Sequence, residues 1–399
     1  MPRFEPFAGL RYDLERFSLA DVTAPPYDVL SANDRAALVA RSPHNAVLID
    51  LPDERDGDAR YRAAAQRLDE WEDEGVLVTD VRPSFTVYRM GYLDDQDRPA
   101  HTLGVIGALG LSRPGDGQIL PHEHTTPKAK SDRLDLLRAT GANLSAVWGL
   151  SLAEGLTALL EAPLAPLQAW TDDDSIDHAV WRIDDPDRVR AISRAVGGAP
   201  VVIADGHHRY ETCLTYRDER QAAGGGDPGG AGSTMCFVVE LAADQLTVGP
   251  IHRLLSGLSF GTDMVAALAP WFDPGDEVPA DHRVLERMDQ AGSLGLAKPG
   301  GTVRLLKPRP EALRDAADLD SSRLAVALEA LGSPASVEYQ HGVDNVILAV
   351  AGGQAQFGVL LRPATVEQIA ANAHSGVRMP AKTTFFHPKP KTGLVFRRT

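Results

Sequence analysis

The sequence predicts an α+β fold in which mixed sheets and helices share the chain, and three observations lead there. Helical and strand-like segments are interspersed from end to end rather than segregated. Two strand candidates, Phe85 to Tyr92 and Thr102 to Leu111, flank the polar, breaker-rich stretch Asp94 to Pro99, which marks a hairpin rather than a parallel crossover. No segment recurs at a fixed period, which excludes a repeat architecture. A length of 399 residues exceeds what one hydrophobic core usually serves. The expected division is a motif-bearing region over residues 1–235 and a C-terminal α+β region over 236–399, with the tail 379–399 docking back on the first.

In chain order, Asn33 to Ala40 reads as a short helix with Ser31 or Asn33 near its N-cap. Ala46 to Leu51 is an apolar run and reads as a buried strand. Between Asp58 and Glu74, Tyr61, Ala64, Ala65, Leu68 and Trp71 recur at helical spacing, and Gly75 follows where a left-handed residue ends the helix. Beyond the hairpin comes an irregular polar stretch, Pro114 to Lys130. A helix from Asp132 to Thr140 and a strand-like run from Ala142 to Leu150 follow it. Ala179 to Ile183 reads as a strand and Pro186 to Val196 as a helix, with proline in the first turn, where no N–H is needed. Pro200 to Ala204 is a short apolar strand of the buried kind, and a helix runs on from about His208 to Ala222. Gly224 to Ser233, with six glycines and one proline, reads as a flexible connector. Further strands are expected at Cys236 to Leu241, Val303 to Leu306, Val346 to Val350, Phe357 to Leu361 and Gly393 to Phe396. Further helices are expected at Asp263 to Ala269, Ser321 to Leu331 and Thr365 to Ala373.

The formal net charge of −15 repels polyanions, so neither nucleic acid nor an anionic membrane is an expected partner. No apolar stretch approaches a membrane span, and Met1-Pro2-Arg3-Phe4-Glu5 lacks the basic-then-apolar form of a signal peptide. The expectation is a cytoplasmic protein with a small-molecule substrate. The two cysteines, Cys213 and Cys236, have no metal-ligand spacing, and Cys213 reads as a packing residue within a helix. No Walker loop, strand-linked Gly-x-Gly-x-x-Gly or Gly-x-Ser-x-Gly elbow is present.

The segment Ala204-Asp205-Gly206-His207-His208-Arg209-Tyr210-Glu211 carries the chemistry. A buried strand delivers the chain to Asp205-Gly206. Gly206 permits a tight turn and close approach of a ligand to the backbone. The helix that follows presents unpaired N–H groups and partial positive charge, which suit an anion. Arg209 adds a permanent charge with bidentate phosphate geometry. His207 and His208 can donate to phosphoryl oxygens or move protons near neutral pH. Asp205 is placed to cap the helix, to bind a metal or to accept a hydroxyl proton. The plain alternative is a capping aspartate and two surface histidines. Glu211 shares a helix face with His208 and Thr215, and it is either a proton acceptor or a solvated glutamate.

Secondary sites surround this motif in the expectation. His122-Glu123-His124 puts both histidines on one side of an extended segment, either for substrate contact and proton transfer or, with His207, His208 or Asp205, for a metal. Lys128, Lys130, Arg133 and Arg138 form a basic cluster able to neutralise a phosphate or carboxylate. Asp28, in the rigid Pro25-Pro26-Tyr27-Asp28 turn, is a candidate for Mg²⁺ or substrate ammonium. Lys382, Thr383 and Thr384 are candidates to close over a phosphate, against the alternative of a docked tail.

Five stretches make the sequence recognisable: Ala24 to Ser31, Leu120 to Thr125, Lys130 to Ser145, Ile203 to Thr212 and Met379 to Lys389. In them the chain resembles the bacterial and archaeal family catalogued as domain of unknown function 1015. The Asp-Gly-His-His-Arg core is also similar to the phosphate-contacting box of the ParB/sulfiredoxin-like superfamily, which includes a nucleotide-dependent free-serine kinase and nucleotide-binding partition proteins. That resemblance implies that Gly206, His207, His208 and Arg209 contact phosphate. The expected function is phosphoryl transfer to or from a small hydroxylated metabolite such as serine or phosphoserine. ATP or ADP would take part, with Mg²⁺ offsetting phosphate charge and Asp205, Glu211 or Glu123 receiving the hydroxyl proton. Two alternatives stand beside it. One is a metal-dependent hydrolase using His122, His124, His207 and Asp205. The other is a nucleotide- or metabolite-binding module without turnover.

Overall fold

The computed structural model describes residues 1–399 except 95–96, 114, 117, 122–129, 162–164, 225, 333–335, 376–378 and 381. Helices and mixed sheets alternate throughout, so the fold is α+β. The chain forms two compact units. Among the described residues the first takes in Met1–Pro121, 130–247 and Pro388–Thr399; the second is Val248–His387.

The first unit is built on a mixed sheet of nine strands among the described residues. Its order across the sheet is Ile119–Pro121, Val201–Asp205, Val147–Ser151, Ser233–Glu240, Pro99–Gly110, Phe85–Leu93, Asp177–Ile183 and Gln168–Thr171, with Phe4–Glu5 also paired to Pro99–Gly110. The expected hairpin is the centre of this sheet: Thr86 faces Ile106 and Leu93 faces Pro99 in antiparallel register. Its strands lie between others and are buried on both faces over most of their length, which explains runs such as Val-Ile-Gly-Ala-Leu with little alternation. Helices Leu156–Leu160 and Pro186–Gly197 cover one face, and their Leu156, Leu160, Ile192 and Val196 join Val87, Val105, Val201 and Ile203 in one core. Asp185 caps the second of these helices through its side chain, ahead of Pro186.

The second unit carries a six-stranded antiparallel sheet ordered Phe272–Pro279, Thr302–Pro308, Leu294–Lys298, Phe357–Leu360, His252–Ser256 and Ser336–Gln340. Leu255, Leu296, Leu306 and Val359 point to one side of it, against Met264, Leu268 and Leu324.

Several expectations are corrected; Gly393 to Phe396, for one, is a turn with an isolated bridge from Phe396 to Leu10, and the strand there is Arg397–Arg398. Ala46 to Leu51 is not a strand, because Val47–Asp50 is a helix in which Asp50 N–H donates to Ala46 and Leu51 N–H to Val47. The Asn45 side chain starts it by accepting from Val47 N–H at 3.0 Å, a local bond that a reading of apolar runs ignores. Val346 to Val350 is likewise part of a helix, Val343–Ala351, with Val346, Ala349 and Val350 buried and Leu348 68% exposed. The buried positions follow i, i+3, i+4, a period hidden because the outward residue is also apolar. The glycine-rich connector is partly ordered: Gly229–Gly232 forms a 3-10 turn, and Arg397 donates to the Gly230 carbonyl at 2.8 Å. Among the described residues no helix is long and apolar enough to cross a membrane.

Candidate functional site

Two parallel neighbours set the site's position in the first unit. Ile119–Pro121 pairs with Val201–Asp205 so that Pro121 stands opposite Ile203, and both strands run toward the same sheet edge. At that edge the second strand ends in Asp205. Gly206 turns with φ of 82° and the helix His207–Ala223 begins. The Asp205 side chain does not cap this helix: the N-cap position is Gly206, with no side-chain cap bond.

Asp205 instead holds two cations. Its Oδ2 accepts from Arg209 Nη2 at 2.9 Å and its Oδ1 from Lys389 Nζ at 2.7 Å. Burial alone would raise the Asp205 pKa; the charges of Lys389 and Arg209 outweigh it and hold the carboxyl below its ordinary range. Arg209 is 8% exposed, and its Nη1 donates to the Ala146 carbonyl. That acceptor exists because the expected strand from Ala142 to Leu150 is interrupted. Only Ala142–Asn143 and Val147–Ser151 pair as strands, which leaves the Ala146 carbonyl outside both ladders. Arg209 Nε is buried with no hydrogen-bond partner among the described residues, as is Thr212 Oγ1 one turn on.

Arg133 joins this group from the helix Lys130–Thr140. It is 7% exposed and donates to the Asp50 carbonyl at 2.6 Å and to Asp132 Oδ2 at 2.8 and 2.6 Å. Its guanidinium lies 4.1 Å from the centre of the Tyr27 ring, and that of Arg209 lies 6.0 Å from the same ring. Asp28 beside Tyr27 is exposed, and its charge favours the charged form of Arg209. A cavity of about 50 Å³, room for a few waters or one small oxyanion, is lined by Asp50, Arg133, Asn143, Ser145, Arg209 and Thr212. Burial pushes the Asp50 carboxyl up, against the opposing pull of Arg133 and Arg209.

The structure thus gathers Asp205, Gly206, Arg209, Arg133 and Asp28, with His207, His208 and Glu211 half-buried on the first turns of the same helix. His122, Glu123, His124 and Lys128 lie outside the described residues. Lys382 is an exposed residue of the second unit, with φ of 58°. Arg138 points away from this group and pairs with Glu219 and Asp135 at an exposed position. Cys213 packs against Thr234 at 3.2 Å, and burial raises its thiol pKa, which fits a packing role. Sequence reasoning passes over Lys389, Asp50 and Tyr27. The one available signal for Lys389 is its place at the end of a recognisable tail stretch, from which Lys382, Thr383 and Thr384 are selected. Among the described residues no group of three His, Cys, Asp or Glu side chains is arranged to hold a metal ion.

A family model described as "Protein of unknown function (DUF1015)" matches residues 4–328. No curated protein matches the chain. A free serine kinase variant in complex with AMP is 12% identical with a TM-score of 0.38, covering 70% of this chain and 89% of that one. A conserved hypothetical protein from Pyrococcus furiosus is 12% identical with a TM-score of 0.35, over 69% of this chain and 92% of that one. SbnI with a C-terminal truncation, from Staphylococcus aureus, is 13% identical with a TM-score of 0.39, over 73% and 87%.

Proposed function

The chain belongs to the DUF1015 family of proteins of unknown function, a membership that carries no reaction, and from the geometry of its motif we propose that it is a phosphate-handling enzyme. It transfers a phosphoryl group between a nucleotide and a small hydroxylated metabolite of the serine/phosphoserine class. The supporting observation is a pair of cations, Arg209 and Lys389, clamped on Asp205 at the first turn of a 17-residue helix. A helix start of that length favours an oxyanion through its amides and partial charge, and a buried guanidinium adds charge that no pH change removes. An incoming phosphate competes with Asp205 for both cations, while Asp205 keeps them aimed at one place.

In the forward direction the metabolite hydroxyl oxygen bonds to the γ-phosphorus and the bridging β–γ P–O bond breaks. The electron pair leaves on the β-phosphate, and the hydroxyl proton passes to a carboxylate. Asp205, held below its ordinary range, is a poor acceptor for that proton. Glu211, half-buried one turn into the helix, and Glu123, outside the described residues, are the carboxylates left for it. A magnesium ion carried in with nucleotide would offset phosphate charge.

The test is incubation with ATP and serine, reading ADP and phosphoserine by mass spectrometry, beside calorimetric titration of nucleotide into Arg209→Lys and Lys389→Ala. Nucleotide affinity should fall at least about tenfold in each, since a charge-assisted hydrogen bond contributes about 1.5–3 kcal/mol. Unchanged affinity in both variants, with no phosphorylated product from the parent chain, would end this reading. Binding with no product would leave a nucleotide-binding module.

A further inference from the structure

A second cavity in the first unit, of about 440 Å³, falls within the size range of small-molecule pockets, roughly 300–1,000 Å³. Its apolar wall comes from Ala20, Val29, Leu30, Ala37 and Leu38, and the indole of Trp170 lines it as well. The side formed by Trp170 and Asp172 is held from behind. Asp172 Oδ2 accepts from Lys391 Nζ at 2.5 Å and from His178 Nε2 at 2.9 Å, while Oδ1 accepts the Asp174 and Ile176 amides, each at 3.0 Å. The other nitrogen of His178 bonds Tyr88 Oη at 2.7 Å, and the Trp170 ring stacks on the imidazole with centroids 4.8 Å apart. Lys391, Asp172, His178 and Tyr88 thus partner one another, so the indole stacked on His178 and the Asp172–Asp174 turn keep their places without help from a ligand.

The charges decide what fits. Four carboxylates, Asp34, Asp172, Asp173 and Asp174, line the cavity against two cations, Arg41 and Lys391, a formal balance of −2. Both cations are already engaged, Lys391 with Asp172 and Arg41 with Asp173. An anion would meet uncompensated negative charge, whereas an ammonium group would meet Asp174 and the face-forming indole. We infer that this cavity binds a small organic ammonium ion whose apolar body lies along Val29, Leu30 and Leu38. The site does not depend on the chemistry assigned to Asp205 and Arg209.

Calorimetric titration of the full chain with 2-phenylethylammonium, 2-phenylethanol and 3-phenylpropionate tests this. The amine should bind saturably, the alcohol more weakly and the carboxylate not at all. Asp174→Asn and Trp170→Leu should each weaken amine binding about fivefold, the scale of a partly desolvated cation–π or ionic contact. Asp174 is exposed, so Asp174→Asn should melt with the parent chain and keeps the test independent of folding. Absence of saturable amine binding at millimolar concentration overturns the inference. So does equal binding of the alcohol or carboxylate, or unchanged amine affinity in both variants.

Discussion

At Gly206 the backbone sits at φ of 82°, and a Cβ built there would stand 2.9 Å from Arg209 Nε and 3.0 Å from its Cζ. Backbone strain and a clash with the guanidinium therefore act together. Gly206→Ala should lose about 1–3 kcal/mol of stability in urea denaturation and weaken nucleotide binding with it, because Arg209 must leave Asp205. Gly57→Ala, at φ of 53° with nothing within 4 Å of the added Cβ, should carry strain alone and leave binding unchanged. A second residue sets an acid limit. His252 is buried in the second unit, where its Nδ1 accepts the Leu361 amide at 3.1 Å, and burial lowers its pKa to about 3. The unfolded chain takes up that proton near pH 6.5 and the native ring does not. Stability is therefore full above about pH 6.5 and falls by about 1.4 kcal/mol per unit down to about pH 3. His252→Gln should flatten that slope in pH-dependent denaturation read by hydrogen exchange in the second unit; an unaltered slope would contradict the assignment. Asp205, Gly206 and Arg209 stand out in sequence by their adjacency at a strand-to-helix junction, but adjacency does not reveal that Asp205 holds two cations instead of capping the helix. The roles of Asp50 and Lys389 are not legible there, because their partners lie far off in the chain.

Among the elements, helices with their own boundary chemistry are read correctly. Ser31 accepts from Asp34 N–H at 3.2 Å while the Asp34 carboxylate accepts Ser31 N–H at 2.9 Å, a reciprocal cap that starts helix Ala32–Arg41. Ser31→Ala should cost about 1 kcal/mol in denaturant midpoint and leave Ala59–Asp73 protected in hydrogen exchange. That longer helix ends, as read, at Gly75 with φ of 65°. Ala46 to Leu51 has only the single Asn45 side-chain bond ahead of it, and Val343–Ala351 has no side-chain cap. Each is a brief apolar run, and apolar residues at outward positions such as Leu348 hide the difference between a period of two and one of 3.6. The break between Ala142–Asn143 and Val147–Ser151 is equally silent in sequence, yet it supplies the carbonyl that fixes Arg209.

At the scale of the whole molecule, the last twelve residues, Pro388–Thr399, belong to the first unit. Leu394, Val395 and Phe396 are buried there, Phe396 exchanges backbone bonds with Leu10, and Arg397 donates to Asn143, Ser233 and Gly230. A chain ending at His387 loses those contacts together with Lys389 and Lys391. It should therefore show a first unit destabilised by several kcal/mol, as expected for removing multiple buried side chains, with exchange protection retained in the second unit. Uniform loss across both units would argue that they do not unfold separately. The sequence by itself determined what short-range physics controls: the α+β character, the hairpin, the capped helices and the strand–glycine–helix turn with its arginine. Only the tertiary structure decided which cations meet that turn, since Lys389 reaches Asp205 across 184 positions and Arg133 and Arg209 converge on one tyrosine from separate helices. Contacts of such separation are selected by how whole sheets and helices pack, and no local pattern of residue types encodes them.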